Sequence, residues 1–251
     1  MNRLPTVYNN KDIDILKECG NITSQTLKKL KKYCEVGISF LELDEVAKIN
    51  IKKMGGVPAC YGYNNFPKNI CISVDEIILH GIPKNITIKE GMIINIDCPV
   101  KYKNFYTDSS INISIGDVNE DKKILNEFAY KCMMDTISII KSGVKIGDIC
   151  KFEEEYIKNG GYKTIKEFRS HGVGNNLHEP PHIPHYYDIK NIYNEYELEK
   201  GNVFTIEPIV VTNEKLIKED DGWSYRTEDY SFGTYWEHTV VVTDNGCEIL
   251  T

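Results

Sequence analysis

The chain has 251 residues, which is enough for a single domain with a substantial core. Its net charge is −7, and acidic and basic residues are mixed along the sequence. This balance argues against nucleic acid as the main partner, because phosphate binding needs a concentrated basic face. The eight cysteines form no CxxC pair, and neither a signal peptide nor a membrane-spanning run is visible. We therefore predict a cytoplasmic protein with reduced thiols and no membrane partner.

The helical elements occur twice along the chain. A long helix is predicted over residues 11–34, and the stretch "VGISFLELDEVAKINIKKMGGV" from Val36 predicts a shorter amphipathic helix between glycines. The same order returns with a long helix over 119–142 and "SGVKIGDICKFEEEYIKNGGY" from Ser142. A single match of this kind could arise by chance, so the strands that follow each pair of helices decide whether the repeat is real.

The strands repeat in the same order as the helices. "EGMIINID" (90–97) and "KGNVFTIE" (200–207) are each a glycine turn followed by an apolar strand that ends in a carboxylate. "LHGIP" around His80 is similar to "LHEPP" around His178. We predict one α+β domain over residues 1–251, built from pseudo-symmetric halves at about 11–115 and 119–251. Their strands should form one curved antiparallel sheet, with helices on one face and a site on the other.

Four carboxylates enter apolar strands where they would be costly without a partner. Asp97 ends "MIINI", Asp108 lies in the returning strand, Glu207 ends "VFTI", and Glu237 precedes "HTVVV". Any one of them alone is more simply a strand-end residue. Together with one imidazole, however, they form an oxygen-rich set that suits two divalent cations of the Mn, Fe, Co or Zn type. Two such cations can share and activate a water for hydrolysis.

The candidate imidazoles are concentrated in "RSHGVGNNLHEPPHIPH", residues 169–185, which holds four of the six histidines. Such a tract can be a simple metal-binding ribbon, an active-site loop whose histidines have separate roles, or a polar loop without chemistry. The spacing alone does not choose among these three interpretations.

An ordered set of motifs covers nearly the whole chain and resembles the type I methionine aminopeptidases, which have the pita-bread fold. The motifs are "ACYGYNNFPKNICIS", "LHGIP", "IINIDCPV", "YTDSS", "SHGVGNNLHEPP", "FTIEP", "DGWSYRT" and "EHTVVVTDNGCEILT". The resemblance implies two divalent cations (Co, Mn, Fe(II) or Zn), with Asp108 and Glu237 bridging them. The full set of implied ligands is Asp97, Asp108, His171, Glu207 and Glu237.

The resemblance also implies the remaining site residues. Glu207 would take the proton of the attacking water, and His80 and His178 would contact the scissile peptide and stabilise developing charge. No chemistry is assigned to His182 and His185. A soft pocket for the methionine thioether would be lined by Cys60, Tyr63, Phe66, Cys71 and Trp223.

The implied activity is removal of the N-terminal methionine from nascent chains whose second residue is small, by a monomer acting at the ribosome. Leu177, Phe66, Asn175 and Asn176 depart from the residues common in the family and could alter the pocket. Two alternatives stay open: a prolidase-like peptidase of the same fold, and a pita-bread module that binds peptides without hydrolysing them. Degenerate modules typically lose ligands, and this chain retains all five.

Overall fold

The structure is a computed structural model that describes residues 4–251. Its helices are α1 (Asn10–Tyr33), α2 (Phe40–Lys53), α3 (Glu120–Ile139) and α4 (Ile146–Asn159), with a 3-10 turn at Tyr63–Asn65. The strands are β1 (Val57–Pro58), β2 (Cys71–Val74), β3 (Ile77–Leu79), β4 (Ile93–Asp97), β5 (Val100–Tyr102), β6 (Phe105–Thr107), β7 (Ser109–Ser114), β8 (Arg169–Gly172), β9 (Glu179–Pro184), β10 (Val203–Ile206), β11 (Val210–Val211), β12 (Leu216–Lys218), β13 (Tyr225–Thr227), β14 (Gly233–Thr234), β15 (Glu237–Val242) and β16 (Cys247–Ile249).

Local sequence fixes where the helices begin. Asn9 and Asn119 accept hydrogen bonds from the first free backbone N–H groups of α1 and α3. Ser39 and Glu42 form a capping box at α2, in which each side chain bonds the backbone N–H of the other residue. The two long helices therefore lie within a few residues of their predicted bounds. None of the helices in the described part of the chain is both long and apolar enough to span a bilayer.

An eight-stranded antiparallel sheet forms the centre of the molecule. Its order is β2-β4-β7-β15-β10-β8-β9, and β16 pairs with the far end of β15. Three strands of the first half thus meet the five strands of the second half at the β7–β15 pair. The segment from β4 to β7 forms four strands, and Asp108 is the residue between β6 and β7 rather than, as the sequence predicted, a residue within a strand.

The two faces of this sheet differ because side chains alternate along each strand. On β4, Ile94 and Ile96 face the cluster formed with α1 and α2, so Asn95 and Asp97 face the opposite side. On β10, Phe204 and Ile206 pack in the cluster formed with α3 and α4. Residue 207 therefore continues the face opposite the helices. The predicted α+β arrangement, with helices on one face, is confirmed.

The internal repeat is also visible in backbone pairing. Gly37 donates its N–H to Ile88, and Gly143 donates its N–H to Leu198, at 3.0 and 2.8 Å. Both glycines have positive φ, +98° and +86°, which L-residues with side chains rarely adopt. Isolated β-bridges follow each glycine at equivalent places, Ser39 with Thr87 and Lys145 with Glu197. Each half thus begins its short helix from the same glycine-containing turn.

Candidate active site

The four predicted acidic ligands lie on the sheet face opposite the helices. Asp97 ends β4 and pairs in register with Ser110 of β7, which in turn pairs with Glu237 at the start of β15. These residues therefore form one row across the sheet. Asp108 precedes β7, and Glu207 follows β10 directly. Asp97, Asp108 and Glu237 are buried, and Glu207 keeps 15% of its side-chain surface exposed.

One histidine joins this row from the second half. Ligand-type atoms of Asp108, His171 and Glu237 all lie within 4.8 Å of one another. His171 Nε2 is 3.5 Å from Glu207 Oε1. His171 Nδ1 lies 3.0 Å from the Gly172 carbonyl, which is an acceptor and therefore favours the proton on Nδ1. The lone pair of Nε2 is then directed at the carboxylates, as in a metal-ligating histidine.

Burial raises the pKa values of all four carboxyl groups. Burial raises the pKa of Asp97 to about 6 and that of Glu207 to about 8. Burial, with the neighbouring carboxylates, raises the pKa values of Asp108 and Glu237 well above the usual range. Burial lowers the pKa of His171, so its imidazole is neutral and able to ligate. Buried carboxylates in such proximity need protons or cations to offset their repulsion.

An unpaired carboxylate oxygen and the chemistry of the donor set suit divalent metal. Asp97 Oδ1 is buried and has no hydrogen-bond partner among residues 4–251. Its other oxygen, Oδ2, accepts from the Tyr235 hydroxyl at 3.1 Å. Four carboxylates and one neutral imidazole match the ligands preferred by Mn, Fe, Co and Zn rather than a thiolate zinc site. The residues therefore fit divalent cations.

Threonine hydroxyls hold the backbone around these ligands. Thr239 Oγ1 accepts from the Asp108 N–H at 2.9 Å and donates to the Asp108 carbonyl at 2.7 Å. Thr205 Oγ1 accepts from the His171 N–H at 3.0 Å and lies 2.7 Å from Glu207 Oε1. Thr205 and Thr239 are themselves cross-strand partners in β10 and β15. The two strands thus fix the ligand positions before any cation binds.

Tyr235 contacts Asp97 through its hydroxyl, which the sequence did not reveal. The side chain is buried, and the amides of Asn95 and Asn112 both donate to its carbonyl, at 3.1 and 2.9 Å.

We expect Tyr235→Phe to weaken Mn²⁺ binding about tenfold, because Asp97 loses the donor that orients it. Titration calorimetry measures the change. Tyr156→Phe is the matched control, since Tyr156 donates to Asp135 at 2.8 Å between α4 and α3. Equal affinities in both variants would contradict this role.

A cavity of about 400 Å³ opens above the acidic row. Every predicted metal, catalytic and pocket residue lines it, so the structure brings all of them together. Phe66 is buried and makes an edge contact with Trp223, with ring centroids 5.1 Å apart. Cys60 Sγ lies 3.8 Å from Cys71 Sγ. This apolar, sulfur-lined wall has the chemistry expected for a thioether side chain. The individual roles of these residues stay predictions.

The two predicted non-ligand histidines lie on the same cavity. His80 follows β3 and is surrounded by the rings of Phe168, Trp223 and Tyr225, at centroid distances of 5.2 to 6.2 Å. Burial among these rings lowers the pKa of His80 to about 4. His178 Nδ1 lies 2.7 Å from the Tyr63 hydroxyl at the cavity rim.

His178 also packs on His171, one of the predicted metal ligands. Its ring centroid is 4.1 Å from that of His171. The pair therefore joins the cavity rim to the acidic row, and His178 is placed to contact a ligand in the cavity without lying among the carboxylates.

Of the remaining two histidines of the tract, His182 lies on β9 and His185 directly follows that strand. His182 is the cross-strand partner of His171 and lines the cavity, which the sequence did not indicate. His185 is fully buried away from it, with Nδ1 3.0 Å from Glu153 Oε2 of α4. His185 therefore joins a helix to the sheet, and the tract is a β-hairpin whose histidines have separate positions.

The sequence model of "Metallopeptidase family M24" matches residues 14–244. The methionine aminopeptidase of Buchnera aphidicola subsp. Schizaphis graminum is 36% identical over 242 residues, covering 96% of this chain and 91% of the relative. Methionine aminopeptidase 1 of Bacillus subtilis is 35% identical and covers 96% of both chains. The chain belongs to metallopeptidase family M24, among the methionine aminopeptidases. It is thus a metal-dependent hydrolase, as the motifs predicted.

Solved structures support the same family. The crystal structure of methionine aminopeptidase from Thermotoga maritima superposes with a TM-score of 0.94 at 30% identity, over 99% of both chains. The prolidase from Pyrococcus furiosus gives 0.79 at 22% identity, with 98% of this chain but only 65% of the prolidase covered. The second likeness concerns the fold alone. The pita-bread fold predicted from the motifs is confirmed, and the M24 family implies divalent metal.

Proposed function

We propose that this M24 peptidase releases the N-terminal methionine of peptides whose second residue is small, and that it holds two divalent cations. Asp97, Asp108, His171, Glu207 and Glu237 would hold them. The observation that supports this most directly is the meeting of one buried N/O donor set with an apolar, sulfur-lined wall in one cavity of about 400 Å³. When bound, the cations would supply Lewis acidity and a water-derived nucleophile at neutral pH.

The chain's own residues would position the substrate. The methionine side chain would pack between the sulfurs of Cys60 and Cys71 and the rings of Phe66 and Trp223, with Tyr63 at the rim. The enclosed end of the cavity would then place the first peptide carbonyl above the acidic row. Limited space beyond that carbonyl would select a small second residue.

Two histidines and one carboxylate would handle protons and charge. If the Tyr63 hydroxyl donates to His178 Nδ1, Nε2 carries the proton and can donate to the scissile carbonyl oxygen. His80 is neutral at physiological pH and can act as a second hydrogen-bonding group. Glu207, kept ionised by the bound cations, would accept the proton of the attacking water and return it to the leaving amine.

A peptide panel tests this function. We expect release of methionine from Met-Ala-Ser, with activity restored to chelated protein by Mn, Fe(II), Co or Zn tested in turn. Met-Leu-Ser should be cleaved at least about tenfold more slowly, because a large second residue meets the cavity wall. Turnover of Ala-Pro or Gly-Pro with no cleavage of Met-Ala-Ser would instead identify a prolidase-like peptidase.

Metal content separates the enzyme from a non-catalytic module. Elemental analysis after anaerobic, reducing purification should detect bound divalent metal. A metal-free protein that does not bind added metal would support the module.

Four features stay predictions: action on nascent chains at the ribosome, the monomeric state, the cytoplasmic location and the single domain over residues 1–251.

A further inference from the structure

We propose that Tyr8, in the segment before α1, is a positioning residue that orders the loop from Val173 to His178 for the reaction. The proposal rests on the function proposed above, in which His178 contacts the substrate. The loop joins β8 to β9 and has no regular secondary structure of its own. Asn175 and Asn176 are exposed, so packing alone does not fix this part of the chain.

Tyr8 is itself firmly held. Its N–H donates to the Gly201 carbonyl at 2.9 Å, and the adjacent Val7 forms a β-bridge with Asn202. The side chain is buried in a cluster with Leu16, Val173, Val203, Val241 and Leu250. The ring of Tyr8 thus lies where three parts of the chain meet: α1 of the first half, β10 of the second half and the base of the loop.

The hydroxyl of Tyr8 connects the middle of the loop to the start of β9. It accepts from the Asn175 N–H at 2.7 Å and donates to Glu179 Oε1 at 2.5 Å. The other oxygen of Glu179 accepts from the Asn176 N–H at 3.0 Å. Both Tyr8 and Glu179 are buried. Removal of the hydroxyl would therefore leave a buried carboxylate oxygen and a backbone N–H without their partner.

The loop backbone is shaped around this hydroxyl. Gly174 has a φ of +150°, and a Cβ built there would lie 2.1 Å from the Tyr8 oxygen. The Gly174 carbonyl accepts from the Tyr106 N–H at 2.8 Å, on the other side of the loop. The glycine thus permits a close approach of the chain to Tyr8 that a larger residue would prevent.

The ordered loop places two cavity residues. Leu177 is buried and lines the cavity, and His178 immediately precedes Glu179 in the chain. His178 contacts Tyr63 and His171, as described above. Tyr8 touches neither the cavity nor the predicted ligands, so its effect on the reaction would pass through Glu179 and the loop backbone.

The test is Tyr8→Phe, which removes only the hydroxyl. We expect kcat for Met-Ala-Ser to fall about tenfold with KM and Mn²⁺ affinity changed less than twofold, since the cation ligands are untouched. Amide hydrogen exchange of residues 173–178 should accelerate, while exchange in the β4–β7 core should not. Tyr156→Phe is the matched control, because the Tyr156 hydroxyl donates to Asp135 at 2.8 Å between α4 and α3, away from this loop.

A double-mutant cycle with Glu179→Gln shows whether Tyr8 acts through Glu179. The kcat loss caused by Tyr8→Phe should be smaller in the Glu179→Gln background than in wild type. An unchanged kcat would overturn the proposal, and so would a lowered kcat accompanied by faster exchange throughout the chain. If wild-type protein released no methionine, the proposed function would fail, and local exchange would still decide whether Tyr8 orders the loop.

Discussion

Replacing Glu237 by glutamine is expected to lower the rate of methionine release at least about a thousandfold, which corresponds to about 4 kcal/mol. Glu237 is buried, starts β15 and lies within 4.8 Å of ligand-type atoms of Asp108 and His171. Glutamine keeps the shape but removes the charge, so the site loses one of the anions that would neutralise two adjacent cations. His171→Ala should have a similar effect, because a ring nitrogen of His171 lies close to Asp108, Glu237 and Glu207. Steady-state release from Met-Ala-Ser measures both.

Glu248→Gln is the matched control for Glu237→Gln. Glu248 lies on β16, beside β15, and its half-exposed side chain pairs with Lys17 at 2.8 Å. A surface pair of this kind contributes little to stability, so activity should stay within twofold of wild type. Circular dichroism and metal content should accompany each assay. Wild-type turnover by a correctly folded Glu237→Gln variant would remove this residue from the metal site.

The sequence was most informative where a strand places a charged residue against its own apolar pattern. Asp97 and Glu207 each end a run of buried aliphatic residues, and the repeat relates them to each other. Period-two alternation then requires both to face away from the helices, which is where the structure has them. The row across the sheet follows from local pattern plus one topological fact, the pairing of β7 with β15.

Contacts that depend on long-range packing were not visible in the sequence. Tyr235 precedes Trp236 in an unremarkable stretch, and its bond to Asp97 spans 138 positions. Tyr8 lies in the short segment before α1, and its partner Glu179 is 171 positions away. No periodicity or motif relates such pairs, since each bond is set by where whole elements pack. The resemblance likewise described the shared site but not these contacts.

The histidine tract also combines positions that the sequence predicted with contacts that only long-range packing shows. Its motif suggested separate roles for His171 and His178, and their positions agree with separate roles. His182 lies on β9 and His185 directly follows it, so strand pairing determines the surroundings of the first and helix packing those of the second. The buried bond between His185 and Glu153 arises because α4 packs on β9, which only the tertiary structure shows.

The site also opposes folding in the absence of metal. Raised pKa values mean that the folded state disfavours ionised carboxyl groups that the unfolded chain accommodates freely. Glu207 illustrates this best, because its ordinary value is 4.5 and burial raises its pKa to about 8. Between these values the unfolded state releases a proton that the folded state retains. The favourable contribution of the protonated group is therefore complete below about pH 4.5 and is lost as pH rises towards 8.

Replacing Glu207 by glutamine should consequently stabilise the chelated protein while abolishing its peptidase activity. At pH 8 we expect the free energy of unfolding of the EDTA-treated variant to exceed that of wild type by a few kcal/mol. The two proteins should differ little at pH 5, where folded Glu207 is protonated. Urea titrations at pH 5 and pH 8 measure the difference.

Metal should reverse the order of the two proteins at pH 8. Saturating Mn²⁺ should stabilise wild type more than the glutamine variant, because wild type retains the carboxylate that the variant has lost and should bind the cation more tightly. EDTA-treated Glu248→Gln should follow the wild-type pH dependence, because that side chain is exposed and distant from the cluster. If chelated wild type and Glu207→Gln unfolded at the same urea concentration at both pH values, the electrostatic cost of this carboxylate would be absent. A gain in stability that Mn²⁺ cancels would instead show that the residue is kept for catalysis at the expense of folding.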